Sequence, residues 1–157
     1  MTEKLNVRPA ESSDVPAVLK LLPDLADFDL PERREPKHLW QGDAELFQAI
    51  FAGKHPNTFC EVALNEAGGV IALAMITMRE ELMSHAPSAH LETLLVAADA
   101  RGTGLGRKML AYAEQCAQHR GAKSLSLHVF ANNHRARSLY NSAGYDSELI
   151  RAIKWFD

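Results

Sequence analysis

One stretch constrains the chain more than any other. Leu91-Glu92-Thr93-Leu94-Leu95-Val96 is an apolar run holding a single acid, and it passes through Ala97–Ala100 into Arg101-Gly102-Thr103-Gly104-Leu105-Gly106-Arg107. Beyond it, Leu105, Met109, Leu110, Ala113 and Cys116 recur at helical spacing, which predicts a long helix over 104–119. A strand that feeds glycines and then a helix has the architecture of an anion site. The first amides of a helix have no internal partners, its dipole favours negative charge, and glycines let the backbone approach a ligand closely. Arg101 and Arg107 add positive charge at either end. Two common phosphate patterns fail here. No Gly-Lys-Ser/Thr follows Gly102 at Walker spacing, and Gly106 comes one residue too early for a dinucleotide fingerprint. A glycine-rich helix entry that binds nothing fits the same residues.

The remaining elements can be read around this segment. Leu5–Arg8 predicts a short first strand. Ser12 or Ser13 can cap a helix carrying Val15, Val18, Leu19 and Leu22, which Pro23 ends or kinks. Residues 24–40, with Pro31 and Pro36, read as a loop with one irregular turn. A second helix is expected over Asp43–Ala52, with Leu46, Phe47 and Ile50 on one face and Gly53 as its stop. Thr58–Leu64 and Val70–Met78 are β-rich and flank Asn65-Glu66-Ala67-Gly68-Gly69, a hairpin signal. Arg79–Ser88 reads as a loop and Ala89–Val96 as the next strand. Ser124–Phe130 alternates as a strand, Asn133–Ser142 reads as a short helix, and Tyr145–Phe156 as one or two final strands. The order β-α-α-β-β-β-α-β-α-β predicts one α/β domain over residues 1–157, with a mixed sheet.

Composition narrows the function classes. A net charge of -3 over 157 residues gives no basic footprint, so no nucleic-acid partner is expected. Cys60 and Cys116 form no CxxC pair, and no His/Cys cluster has zinc spacing, so no metal is expected; both are read as buried, reduced thiols. Met1–Arg8 lacks the apolar core of a signal peptide and no run approaches a membrane span, so no membrane partner and a cytoplasmic location are expected.

Two motifs together suggest a family. Arg101-x-x-Gly104-x-Gly106 after a strand resembles the pyrophosphate-binding motif of the GNAT superfamily of acetyl-CoA-dependent N-acetyltransferases. Asn133-x-x-Ala136-x-x-Leu139-Tyr140-x-x-x-Gly144-Tyr145 resembles that family's late signature, in the right order and at the right separation. The resemblance implies a sheet of six to seven strands flanked by about four helices. It implies that acetyl-CoA is the cofactor, with its pyrophosphate on the backbone amides of Arg101, Gly102, Thr103, Gly104, Leu105, Gly106 and Arg107. The backbone at Leu94, Leu95 and Val96 would pair with the pantetheine arm in a slot where the strand splays from its neighbour. Asn133 would hydrogen-bond the cofactor and Tyr140 would point its hydroxyl at the sulfur. Family members often dimerise, so a homodimer is allowed, without support from the residues themselves.

The residues then suggest roles. A primary amine resembling the lysine side chain has a pKa of ~10.4, so a base or a pKa-lowering site is needed. Glu92, alone in an apolar strand near the acetyl end of the slot, is the candidate base. A strand amide at Leu95 or Val96 could stabilise the oxyanion. Tyr140 is the candidate acid for the leaving thiolate. Among the histidines, His90 shares a strand face with Glu92 by period two. Asp27, Phe28 and Asp29, in the loop after the first helix, suit a small cationic amine, although a solvated acidic loop would look the same. This early layout is similar to diamine and thialysine acetyltransferases, but Glu92-Thr93-Leu94-Leu95-Val96 departs from their Glu-Asp-Phe-Phe-Val. Acetylation of a protein N-terminus or lysine, and a non-catalytic acyl-CoA-binding module, are the alternatives.

Overall fold

The computed structural model describes residues 5–157. The first part of the signal-peptide expectation, Met1–Lys4, lies outside the described residues. Five strands form one sheet in the order β1-β2-β3-β4-β5: β1 (Asn6–Pro9), β2 (Thr58–Leu64), β3 (Val70–Glu80), β4 (Pro87–Val96) and β5 (Leu125–Leu127). The first four run antiparallel to their neighbours and β5 runs parallel to β4. A parallel neighbour requires a crossover, and α3 (Leu105–His119) supplies it. The other helices are α1 (Val15–Leu21), α2 (Gln41–Phe51) and α4 (His134–Ser142). The loop expected over 24–40 holds two short 3-10 turns, Leu22–Ala26 and Pro36–Leu39.

Each sheet face has its own apolar layer. On one, Val18 of α1, Leu22 of the 3-10 turn that follows it, and Ala44 and Phe47 of α2 bury against Val62, Leu73, Met75 and Leu95. On the other, Met109, Leu110 and Ala113 of α3 lie against Ala72, Ala74 and Ile76 of β3 and Leu91 of β4. The alanines keep that strand low enough for the long helix to sit close. Ala117, rather than Cys116, completes the inner face of α3: Cys60 is buried as expected, whereas Cys116 is only half-buried.

The hairpin between β2 and β3 forms as its residues predict. The Asn65 amide donates to the Gly69 carbonyl, and the Asn65 side chain accepts from the Gly69 amide at 2.8 Å. At the start of α1, Asp14 accepts two hydrogen bonds from Arg8, at 2.7 and 2.9 Å, and one from the Glu11 amide. The Arg8 guanidinium holds this carboxyl below the usual range.

Among the described residues, the expected six to seven strands are five. Residues 146–157 form no strand, although Tyr145–Phe156 reads as one or two. Strand-like residues supply a face but not an edge. The β5 ladder spans only Leu125–Leu127, shorter than the expected Ser124–Phe130, and the tail leaves Leu149, Ile150 and Phe156 exposed. The tail is tied elsewhere, by Asp157 to Arg33 at 2.5 Å and by Trp155 beneath the Arg34 guanidinium.

Candidate active site

The site grows from an irregularity in β4. Its register with β3 runs Met75↔Thr93 and then Ile76↔Leu91, so Glu92 is an extra residue, a β-bulge. The bulge shifts the parity of the strand. Leu91 belongs to the α3 layer, yet Leu95 belongs to the α1/α2 layer, where unbroken alternation would put both on one face. It also marks the end of pairing on the other side. β4 and β5 pair at Ala89↔Leu125, His90↔Ser126 and Leu91↔Leu127, and then part. From Glu92 to Val96, β4 pairs with no strand on its outer edge among the described residues, which leaves that edge open as a slot.

The backbone facing that slot follows from period two. The Ala97 amide donates to Ile71 of β3 at 2.8 Å. Alternation therefore turns the Leu95 backbone toward its partner Leu73 and those of Leu94 and Val96 toward the slot. Leu95 was expected to offer its backbone to the slot; its pairing with β3 removes it. The Val96 carbonyl accepts from Arg101 Nε at 3.1 Å, which leaves the Leu94 pair and the Val96 amide as the free polar groups there.

At the mouth of the slot, the chain makes a single turn at Ala98–Ala100 and enters α3 through Gly102 and Gly104, with φ of 78° and 80°. These are left-handed conformations that side chains resist, which is why glycine stands at both. Six successive amides, Gly102 to Arg107, donate to no partner among the described residues; the first helical bond is made by Lys108 to the Gly104 carbonyl. Gly106 lies where α3 crosses α4 and β4. A Cβ there would meet Leu139 at 3.5 Å and Val96 at 3.8 Å, so the three elements converge around a residue without a side chain.

The two arginines do less than their charge suggested. Arg101 is turned away from the amides and clamps the loop after α1. It pairs with Asp27 at 2.5 Å and reaches the Asp24 carbonyl at 3.4 Å. Arg107 donates to the Ser142 hydroxyl on α4. Asp27 is thus engaged at the seam, Phe28 packs on Phe130 with ring centroids 5.8 Å apart, and the Asp29 carbonyl accepts from Asn132. The three loop residues expected at the acceptor are brought to the wall between the α1 loop and the segment after β5.

On the other wall, Asn133 caps α4, its side chain accepting from the Ala136 amide at 3.3 Å. This anchors the helix that carries Tyr140. Tyr140 packs in the α3 layer, edge-on to Tyr145 at 5.9 Å, and burial pushes its phenol up to about 12. Tyr145 donates to Glu114 at 3.0 Å and is raised by burial and that carboxylate. Tyr140 therefore holds its proton at neutral pH.

Asp43, in the first turn of α2, went unnoticed in the sequence. Burial raises its carboxyl to about 6, the Thr93 hydroxyl draws it part of the way back, and the charge of Glu92 raises it further. Its sequence signal is slight: an acid in a helix's first turn is ordinary. What makes it unusual is the docking of Ala44 and Phe47 onto the layer that contains Leu95. His90 is buried, with Nδ1 2.8 Å from the Ser126 hydroxyl and its ring 4.8 Å from that of His128. Burial, then Arg79 and His128, lower it to about 4, so it is neutral at pH 7. Among the described residues no group of His, Cys, Asp and Glu could hold a metal ion.

Residues 19–145 match the Acetyltransferase (GNAT) family. The chain belongs to the GNAT family of acetyltransferases. This acetyltransferase is 30% identical over 144 residues to the Bacillus subtilis (strain 168) protein named Uncharacterized N-acetyltransferase YhfO, covering 92% of this chain and 91% of the relative. Its fold matches that of a Pyrococcus furiosus protein described as an acetyl transferase, with a TM-score of 0.79, 22% identity, and 98% and 100% of the two chains covered. A ribosomal-protein-alanine N-acetyltransferase from Brucella melitensis biovar Abortus 2308 shares the fold at a TM-score of 0.71 and 16% identity, covering 98% and 100%. No described helix of the GNAT domain is long and apolar enough to cross a membrane.

Proposed function

We propose that this GNAT enzyme moves an acetyl group from acetyl-CoA to a primary amine of a small cationic molecule, in the cytoplasm. The observation that carries the cofactor assignment is the run of six unpartnered amides from Gly102 to Arg107, entered through two left-handed glycines, beside a strand edge that has lost its neighbour. Such a run favours a diphosphate, and a free strand edge favours an extended amide-bearing arm. The residues present fit coenzyme A on both counts. Leu94 and Val96 would hold the arm, and Asn133 would turn its side-chain amide toward the cofactor. Bound acetyl-CoA supplies the thioester whose acetyl group is transferred.

The chain's own residues account for the protons. Glu92 sits at the bulge where the slot opens and accepts a proton from the arriving amine, directly or through water. The Val96 or Leu94 amide lies on the slot edge, where a donor to a developing oxyanion contributes roughly 3 kcal/mol. Tyr140 gives its proton to the leaving sulfur and regains one from solvent. With its phenol pushed up to about 12, this transfer works only where the same dry slot also raises the thiol from its usual ~8.5.

Steady-state acetyl transfer to a panel of primary amines and to peptides with free N-termini tests the reading. Turnover of small cationic amines, reduced about 10²-fold or more in Glu92→Gln and in Tyr140→Phe, is expected. Turnover confined to peptides would move the acceptor to a protein, and unchanged rates in both variants would remove them from catalysis.

A further inference from the structure

Two carboxylates approach one another beside the slot. Asp43 comes down from the first turn of α2 and Glu92 stands at the β4 bulge, close enough for the charge of Glu92 to disfavour that of Asp43. Such an approach is unfavourable unless a cation lies between them. Among the described residues none does: neither carboxylate has an ion pair or a hydrogen bond at ordinary distance. Nor does Asp43 cap its own helix, since the N-cap of α2 is Trp40 and no side chain makes a capping bond.

Beside them lies an orphan. The Thr93 hydroxyl is buried, with the residue 3% exposed, and has no partner at hydrogen-bond distance. Asp43 is the carboxylate that faces it, although the approach stops short of a full bond. The bulge explains why Thr93 and Glu92, adjacent in sequence, both face α2. The inserted residue breaks alternation, so two consecutive side chains present to one wall. A buried hydroxyl left unpaired is costly in a folded chain, and ligand sites are where such orphans are tolerated.

A protonated primary amine carries three N–H donors on one nitrogen. We propose that Asp43, Thr93 and Glu92 form the seat for the acceptor's ammonium group, each taking one of its donors, with Asp43 determining the preference for cationic acceptors. This rests on the acetyltransferase reading and deepens it. The seat adjoins the end of the slot, so the nitrogen is held next to Glu92. Uncharged nucleophiles lack the positive charge that joins the two acids and gain little from Asp43.

The test compares Asp43→Asn, Asp43→Glu and Thr93→Val with the parent enzyme. Substrates are 1,4-diaminobutane, ethylamine, and hydroxylamine as an amine uncharged at pH 7.5. For the cationic amines, Asp43→Asn raises KM about 10- to 100-fold and Thr93→Val about 3- to 10-fold, the range for losing a charged or a neutral hydrogen bond. Asp43→Glu recovers part of the loss. For hydroxylamine, KM stays within about threefold, and acetyl-CoA affinity is unchanged in all variants. A KM for cationic amines unmoved by Asp43→Asn, or an equal rise for hydroxylamine, overturns the seat. Calorimetry of 1,4-diaminobutane with the CoA-bound protein separates this from failure of the transfer reaction. If the parent turns over no amine, binding heat that Asp43→Asn abolishes keeps the seat and discards the transfer reading. No binding heat in the parent overturns the seat as well.

Discussion

Removing the Asp43 charge should make the protein more stable. The carboxyl is raised from 3.8 to about 6 in the folded chain, chiefly by burial and secondarily by Glu92. Between those two values the folded state binds more protons than the unfolded one, so stability falls as pH rises through this window. The full cost is reached above pH 6. A difference of about 2.2 pKa units corresponds to roughly 3 kcal/mol, an upper figure because the first turn of a helix favours a negative charge by up to about 1 kcal/mol. Asp43→Asn keeps the shape and removes the charge. Chemical denaturation at pH 7 should show a gain of about 2–3 kcal/mol, and for a domain of this size a Tm higher by about 4–12 °C. At pH 4 the difference should shrink toward zero, because Asp43 is then largely protonated in the folded state. His90 acts with the opposite sign. Lowered to about 4, it destabilises the fold as pH falls from about 6.5, so the variant-minus-parent difference, rather than either curve alone, isolates Asp43. A variant no more stable at pH 7, or a gain that does not vary with pH, would refute the claim that this carboxylate is held against its own solvation. The predicted gain in stability accompanies the predicted loss of amine binding, the usual relation at a functional site.

Other outcomes follow from the same geometry. Tyr140→Phe should lower kcat by about 10² or more while acetyl-CoA affinity, read by calorimetry, moves less than about threefold. Gly104→Ala places a side chain at φ 80° and should destabilise the fold by about 1–2 kcal/mol, measured by urea denaturation, while weakening coenzyme binding. Asn133→Ala removes the α4 cap, with a loss of about 1 kcal/mol in the same assay and a fall in kcat as Tyr140 loosens. His90→Gln should flatten the loss of stability between pH 6.5 and 4, followed by thermal melts across that range.

The glycine turn into α3 and the cap of α4 were legible because they depend on local chemistry. Glycines at 102 and 104 are required by left-handed backbone, Asn133 by a helix cap and Tyr140 by its place on the helix so capped, and each of these leaves a mark within a few residues. The surroundings of Asp27 and Asp43 were less legible because tertiary docking makes them. Asp27 looked like a free acid, and only the fold shows Arg101 reaching it across 74 positions. Asp43 looked like a helix-start acid, and only the packing of α2 on β4 shows what it faces. The bulge at Glu92 leaves no mark in the run Leu91–Val96, so period two placed His90 and Glu92 by a rule that β4 breaks between them. The last strands failed for a related reason. The residues of 145–156 read as strands, and pairing needs an edge that β5 does not extend far enough to give.

Titration calorimetry of the protein with coenzyme A and with pantetheine, which keeps the arm but lacks the diphosphate, addresses the anion cradle most directly. Coenzyme A should bind at one site per chain, and pantetheine at least about 10²-fold more weakly, because the unpartnered amides of Gly102–Arg107 would then have no phosphate to hold. Equal affinity for the two, or no heat with coenzyme A, would contradict the assignment of those amides.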